Sequence, residues 1–168
     1  MEVKIRAWRF EDAADLAEAI SNKKVQDNLR DGIPYPYTVV HAEAFIYSVQ
    51  IAEKDSQYCW AITADGKAIG NIRVLRMDNI HSRTAEMGYY IAEAYWGKGI
   101  VTIAVKAACN YIFKNTDIIR IFADPFAYNT ASCRVLEKAG FLCEGTLRKN
   151  AVKNGAVQDM KMYSILKD

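Results

Sequence analysis

Apolar residues alternate with polar ones from Val3 to Ala7, with Lys4, Arg6 and Trp8 on the other parity, and this predicts a first strand. From Phe10 the spacing changes to 10, 13, 16, 17 and 20, one face of a helix. Glu11, Asp12 and Asp15 lie near its positive end. A short polar helix over about 23–29 follows, then an extended stretch, 31–38, that Pro34 and Pro36 keep out of helix. Positions 40–53 read as a third helix with Ala44, Phe45, Ser48, Val49 and Ala52 on one side. Strands over 57–63 and 68–75 flank Asp65-Gly66, a hairpin signal, and a third strand over 84–91 completes an antiparallel meander. From Ile100 the apolar positions 100, 103, 104, 107, 108, 111 and 112 mark a helix with one buried stripe. The apolar run 117–123 is a buried strand, and pairing it in parallel with 84–91 across that helix would make a βαβ unit. A helix over 129–139 ends at Gly140, and strands 141–152 and 156–166 form a last hairpin around Asn154-Gly155. The pattern as a whole is α/β with a mixed, mostly antiparallel sheet of about seven strands.

A chain of 168 residues suits one domain, 1–168, with a full core. Hydrophobic residues make up 51% and charged residues 25%, as in ordinary globular proteins. The net charge of +2, without a long run of one sign, argues against direct nucleic-acid binding driven by bulk charge. No stretch of 18 apolar residues suggests a membrane span, and the start M-E-V-K-I-R does not read as a signal peptide, so the expected location is cytoplasmic. Cys59, Cys109, Cys133 and Cys143 form no C-x-x-C pair, and with only His41 and His81 present no metal site is expected.

The chemistry concentrates between Glu86 and Asn110. A strand leads into Trp96-Gly97-Lys98-Gly99, which opens the long helix. Two glycines there let backbone N–H groups approach an anion at a helix N-terminus. Lys98 opposes the helix dipole unless a phosphate or another partner compensates it. The loop is therefore either an anion cradle or a glycine turn with a solvated lysine. It is not a Walker loop, because Gly99 follows Lys98 where Ser or Thr is needed. The dinucleotide fingerprint also fails, with Thr102 in place of its third glycine.

This stretch resembles the acetyl-CoA-binding motif of the GNAT N-acetyltransferases, Gln/Arg-x-x-Gly-x-Gly/Ala, laid over residues 96–101. Trp96 and Val101 depart from that motif and Gly99 matches it. Y-W-G-K-G resembles the branch that contains the ribosomal-protein N-terminal acetyltransferases. Val101, being β-branched, narrows the space beside a pyrophosphate. The element order along nearly the whole chain is similar to the GNAT fold, a sheet flanked by helices and splayed at the fourth strand. The resemblance implies acetyl-CoA as co-substrate, its pyrophosphate on the amides of Gly97, Lys98, Gly99, Ile100, Val101 and Thr102. It further implies that a bulge at Tyr89, Tyr90 and Ile91 lets the backbone hold the pantetheine arm and the acetyl oxygen.

Three other segments carry candidate roles. Glu86, a charge inside an apolar strand, is either a solvated carboxylate or a general base whose pKa burial raises. Asn129 is first of all an N-cap. With Ser132 it also begins N-T-A-S-C-R-V-L-E-K-A-G-F, which resembles the family's second CoA motif. There the asparagine contacts the pantetheine. Leu136 stands where many relatives carry a tyrosine acid, so the resemblance shifts the proton-donor role to Ser132, with Tyr128 behind it. Tyr35 and Tyr37 are either packing residues or a wall of the acceptor site, as the family's connection between its first helices would imply. Arg148, Gly155, Asp159 and Tyr163 match the branch's final hairpin, which is structural, closes the acceptor cleft or forms a homodimer contact. The expectation is an N-acetyltransferase acting on a primary amine, with a protein or peptide N-terminal α-amine favoured over a polyamine, an amino acid or an antibiotic. The rival expectation is a non-catalytic acyl-CoA-binding module.

Overall fold

A computed structural model describes residues 1–168. Seven strands form one sheet: β1 (Val3–Ala7), β2 (Gln57–Ala64), β3 (Lys67–Arg76), β4 (Thr84–Ile91), β5 (Arg120–Ala123), β6 (Leu142–Lys153) and β7 (Ala156–Leu166). Their order in space is β1-β2-β3-β4-β5-β7-β6. Every neighbouring pair is antiparallel except β4 and β5, which are parallel and joined through α4 (Ile100–Asn115). On one face lie α1 (Ala13–Ile20), α2 (Lys23–Gln26) and α3 (Val39–Gln50); on the other lie α4 and α5 (Thr130–Lys138).

The larger core lies under α4 and α5 and includes Ile62, Ile72, Val74, Ile112, Ile121 and Leu136. A bulge sets its parity. Ile62 pairs with Gly70 and Thr63 with Ala68, so Ile69 is the extra residue and joins Ile72 on the same face despite the odd spacing. The smaller core, under α1 and α3, is centred on Trp8. The Trp8 indole donates to Asn71 Oδ1 at 2.9 Å and meets Phe45 edge-on at 6.0 Å. Trp8 was placed on the polar parity by the alternation; it follows the last strand residue and is buried.

Two helical stripes turn differently from expectation. In α4 the buried set is Ile100, Ala104, Val105, Ala108, Cys109 and Ile112, while Ile103 and Tyr111 are exposed. In α3 the buried side is Ala42 and Ile46 with Phe45 and Val49, and Ala44 and Ser48 face solvent. The observed α4 face mixes Ile100, Val105 and Ile112 with the smaller Ala104, Ala108 and Cys109. Phe10 is exposed, because Phe10–Asp12 forms a 3₁₀ turn ahead of α1. Asp12 is buried and accepts both arms of Arg6 at 2.7 and 2.8 Å rather than serving the helix dipole from solvent.

Two turns follow their sequence signals. Asn154 and Gly155 both take positive φ, as a type I′ hairpin needs. At the end of α5, Phe141 N–H bonds Leu136 O and Gly140 N–H bonds Glu137 O, a Schellman closure with Gly140 at φ 97°. Gly70 is a different case. A Cβ there would meet Tyr90 O at 2.1 Å and Ile91 Cα at 2.8 Å, so β3 and β4 approach too closely for any side chain. Gly70→Ala is expected to lower the unfolding free energy by about 1–3 kcal/mol, read as a reduced midpoint in urea denaturation.

Candidate active site

The sheet opens at one point. β4 pairs with β5 only at Thr84, Ala85 and Glu86, while its pairing with β3 continues without a shift to Ile91. From Met87 onward β4 has one partner strand, and the gap beside it becomes a cleft of about 1110 Å³. The splay therefore comes from divergence of the parallel pair. The expected bulge at Tyr89–Ile91 is not part of it: the register with β3 is regular there.

Strand periodicity sends successive β4 side chains to opposite faces. Met87, Tyr89 and Ile91 point towards α4 and α5, and Tyr90 packs on the α1–α3 side. Glu86 shares the parity of Tyr90, so the cleft joins two faces of the sheet through the splay.

On the α4 side, Trp96–Gly99 turns through Gly97 at φ 73° and Gly99 at φ 75°, with open space where a Cβ would project from either. Gly99 is the N-cap of α4 and supplies no side-chain cap. The first helical bond runs from Ile103 N–H to Gly99 O, and the amides of 97–102 donate to no backbone or side-chain acceptor. Unpaired amides at the positive end of a 16-residue helix are the groups that an anion cradle needs. Residues 97–102 all line the cleft, but they contribute differently. Ile100 is buried, so only its amide is available, and Val101 packs partly against the core. Lys98 does not reach out as a free cation. Its Nζ donates to Ala94 O at 2.9 Å and lies 5.3 Å from the centre of the Tyr95 ring, which compensates its charge without a phosphate. The Trp96 indole donates to Ile91 O at 3.0 Å and pins the loop to the end of β4.

At the start of α5, Asn129 Oδ1 accepts the Ser132 amide at 3.3 Å as an N-cap. Its side-chain NH₂ has no partner in the protein, so capping and a ligand contact are compatible. Ser132 Oγ lies 2.8 Å from the Tyr89 hydroxyl. Burial pushes the Tyr89 phenol well up, so the pair stays protonated at neutral pH and has a proton to donate. This side-chain partnership was not foreseen; strand parity, which turns Tyr89 towards the α5 face, is the signal that would have found it. Tyr128 stacks on Phe126 at 5.1 Å and donates its hydroxyl to Asp27 O, so it braces a loop.

On the opposite face, the Glu86 side chain is 20% exposed and ion-paired with Arg30. Burial pushes its carboxyl up, Arg30 pulls it down and Asp124 raises it again, with a net rise. Asp124, at the end of β5, is also raised by burial, against Arg30. The register explains the proximity. Glu86 pairs with Phe122, so Asp124, two residues on, shares its face at the mouth of the splay. Neither Arg30 nor Asp124 carried a sequence signal, since each needs the β4–β5 register to be placed.

The two tyrosines part company. Tyr37 lines the cleft, with its amide on Ser21 Oγ at 2.9 Å. Tyr35 does not; it is exposed and faces Lys23, whose Nζ lies 5.6 Å from its ring centre, while Ile33 and Pro34 supply the wall instead. The final hairpin braces the 27–31 segment. Lys153 Nζ pairs with Asp31 at 2.8 Å and Asn154 Nδ2 donates to Asp27 Oδ1 at 3.0 Å. Of the hairpin residues singled out, Asp159 accepts the Lys149 amide at 2.7 Å and the buried Tyr163 donates to Glu137 at 2.9 Å. Both are structural contacts, and Gly155 serves the turn.

No cysteine lines the cleft, and burial pushes the Cys59 thiol up to about 11. No His/Cys/Asp/Glu group has the makings of a metal site, and no helix is long and apolar enough to cross a membrane.

Known proteins share this architecture. The chain is 39% identical over 116 residues to "Probable N-acetyltransferase YjcK" of Bacillus subtilis strain 168, a stretch covering 68% of this chain and 64% of that protein. It is 26% identical over 121 residues to the ribosomal-protein-serine acetyltransferase of Escherichia coli K12, covering 72% of this chain and 67% of the relative. Among solved structures, the spermidine N-acetyltransferase of Vibrio cholerae in complex with CoA and spermine superposes with a TM-score of 0.81 at 23% identity, covering 98% of this chain and 95% of that one. That likeness is one of fold. The chain spans 64%, 56% and 55% of the first three curated relatives, all from B. subtilis. Residues 2–142 match the acetyltransferase (GNAT) domain family, and the chain belongs to that family.

Proposed function

We propose that this protein is an acetyl-CoA-dependent N-acetyltransferase that acts on a primary amine by direct attack in a ternary complex, with a protein or peptide N-terminal α-amine as acceptor. One observation carries the reading. A single cleft holds unpaired amides at one end, a proton donor pair on one face and a desolvated carboxylate on the other. Acetyl-CoA, when bound, supplies an activated acetyl group as a thioester. The chain's own groups fit it: the amides of 97–102 hold a pyrophosphate, and the β4 backbone from Tyr89 to Ile91, which has no strand partner on the β5 side, where Ile91 O alone is taken, by the Trp96 indole, binds the arm. Asn129 offers its free NH₂ there. Glu86 takes a proton from the acceptor, and Ser132, hydrogen-bonded to Tyr89, delivers one to the departing thiolate. The absence of a thiol from the cleft lining supports direct transfer over a covalent acetyl-cysteine.

Proton cost favours the α-amine. Freeing an α-amine of pKa ~7.7–8.0 at pH 7 costs about 1 kcal/mol, against about 4.6 kcal/mol for a lysine side chain. A raised glutamate can meet the smaller demand. A polyamine reading has the Vibrio cholerae relative behind it. Charge disfavours it: beyond Glu86 and Asp124 the lining offers one further carboxylate, Asp31, which Lys153 already pairs. The location that fits this reading is the cytoplasm, where acetyl-CoA and nascent N-termini meet.

The direct test is CoA thiol release from acetyl-CoA across peptides starting with Ser, Ala or Met, free amino acids, polyamines and aminoglycosides. Release with the peptides alone is the expected outcome; release with polyamines alone replaces the acceptor, and tight acetyl-CoA binding without release under any acceptor overturns the enzyme reading. Glu86→Gln is expected to lower kcat at least tenfold with acetyl-CoA affinity unchanged. Since Glu86 works ionised and its carboxyl is raised, wild-type activity is expected to fall with decreasing pH above the ordinary glutamate range, and this limb should vanish in the variant. Ser132→Ala should lower kcat more than acetyl-CoA affinity, as steady-state kinetics and calorimetry together would show. Gly99→Val places a β-branched residue at positive φ and fills the cradle, so calorimetry should report at least tenfold weaker acetyl-CoA binding with an unchanged far-UV spectrum.

A further inference from the structure

Arg30 stands apart from the groups around it. Its side chain is 73% exposed, whereas Glu86 and Asp124, on which it rests, are each 20% exposed. The guanidinium contacts Glu86 Oε1 and lies 3.7 Å from Asp124 Oδ1. It makes no other side-chain hydrogen bond. The carboxylates are fixed on β4 and at the end of β5, while the cation hangs on a long flexible stem. The segment around it is tied to the last hairpin, by Asn154 on the Asp27 side chain and Lys153 on the Asp31 side chain. A change of rotamer alone therefore withdraws the guanidinium, with no movement of the loop.

Two adjacent carboxylates with little solvent disfavour a shared negative state unless a cation lies between them. The groups acting on Glu86 are Arg30 from the loop after α2, Arg73 from β3 and Asp124 beyond β5. Only Arg30 both contacts the carboxylates and is free to leave. An acceptor amine brings the same charge to the same cleft, because at neutral pH it arrives mostly as an ammonium ion.

We propose that Arg30 is a displaceable internal counter-ion whose place between Glu86 and Asp124 the acceptor ammonium takes before it gives a proton to Glu86. The inference rests on Glu86 as the proton acceptor of the proposed reaction. In the exchange an ammonium N–H bond breaks, its electron pair stays on nitrogen, and an O–H bond forms on Glu86. Asp124 remains ionised and accepts a hydrogen bond from the new carboxylic acid, which makes it a positioning residue for Glu86. Arg30 is then a specificity determinant: it sets a threshold that a cationic acceptor crosses and a neutral amide or alcohol does not.

The test uses the full chain, labelled with ¹³C at the Asp and Glu carboxyls, and titrates butylammonium chloride at pH 7 while following Glu86 and Asp124 by NMR. Arg30→Gln is expected to bind butylammonium at least fivefold tighter than the wild type. Adding Asp124→Asn to Arg30→Gln should abolish that gain, and Asp124→Glu in the same background should restore part of it. With any acceptor that supports thiol release, Arg30→Gln should lower the acceptor KM at least threefold, whereas N-acetylated peptide should bind neither form better. Equal butylammonium affinity in wild type and Arg30→Gln, or a gain that survives Asp124→Asn, overturns the proposal. The ion titration does not depend on turnover. If the affinities follow the expected order while no acceptor releases thiol, counter-ion exchange stands and the acetyl-transfer reading falls; thiol release with unaltered ion affinities has the reverse meaning.

Discussion

The structure depends on where one parallel pairing stops. β4 and β5 share three register positions and then part, although β4 continues for five more residues beside β3. Main-chain N–H and C=O groups along the free side of β4 need partners as any buried backbone does. A second strand would satisfy them and leave no site. The divergence instead leaves extended backbone facing a cavity whose far end is a bare helix N-terminus. The glycines of the 97–99 loop leave open space at that helix N-terminus. The site is an omission in the hydrogen-bond ladder, maintained by packing on both faces.

Because the cleft passes through the sheet, the two halves of the chemistry sit in different cores. Tyr89 and Ser132 belong to the side under α4 and α5, in an apolar setting that keeps the phenol protonated. Glu86 and Asp124 sit on the side of α1 to α3, in partial contact with solvent and with arginines. The odd separation of Glu86 and Tyr89 along one strand puts a partly exposed, ion-paired carboxylate and a buried, protonated phenol on opposite faces. A single strand thus carries two opposite electrostatic surroundings about 10 Å apart along its backbone.

The order of elements was legible because strands, hairpin turns and helix ends are local. Asn154-Gly155, Asp65-Gly66 and Gly140 each announced a turn by their own backbone preference. The glycine turn ahead of α4 was legible for the same reason, since Gly97 and Gly99 lie within four consecutive residues, 96–99. What could not be read was set by register and by the rotation of a helix face. Asp124 meets Glu86 only because Phe122 pairs with it, and no local pattern encodes that pairing. The buried stripe of α4 takes in Val105 and Cys109 and leaves Ile103 and Tyr111 exposed, a rotation of the face that hydropathy spacing did not resolve. The Lys98 ammonium is taken up by Ala94 one helical turn back, and the Tyr35 ring faces Lys23, twelve residues earlier.

The cleft wall opposite the amide loop comes from residues 28–34 with Tyr37, and the tip of the last hairpin, far away in the chain, clasps that segment through Lys153–Asp31 and Asn154–Asp27. Neither segment shares a residue with the amide cradle at 97–102. Change in one therefore leaves the other intact. Such a division lets a lineage retain one activated donor while drifting among acceptors, with a handful of exposed loop positions as the material for divergence. A clasp between loop and hairpin also means that new specificities would arise in pairs of substitutions, one on each side of the contact.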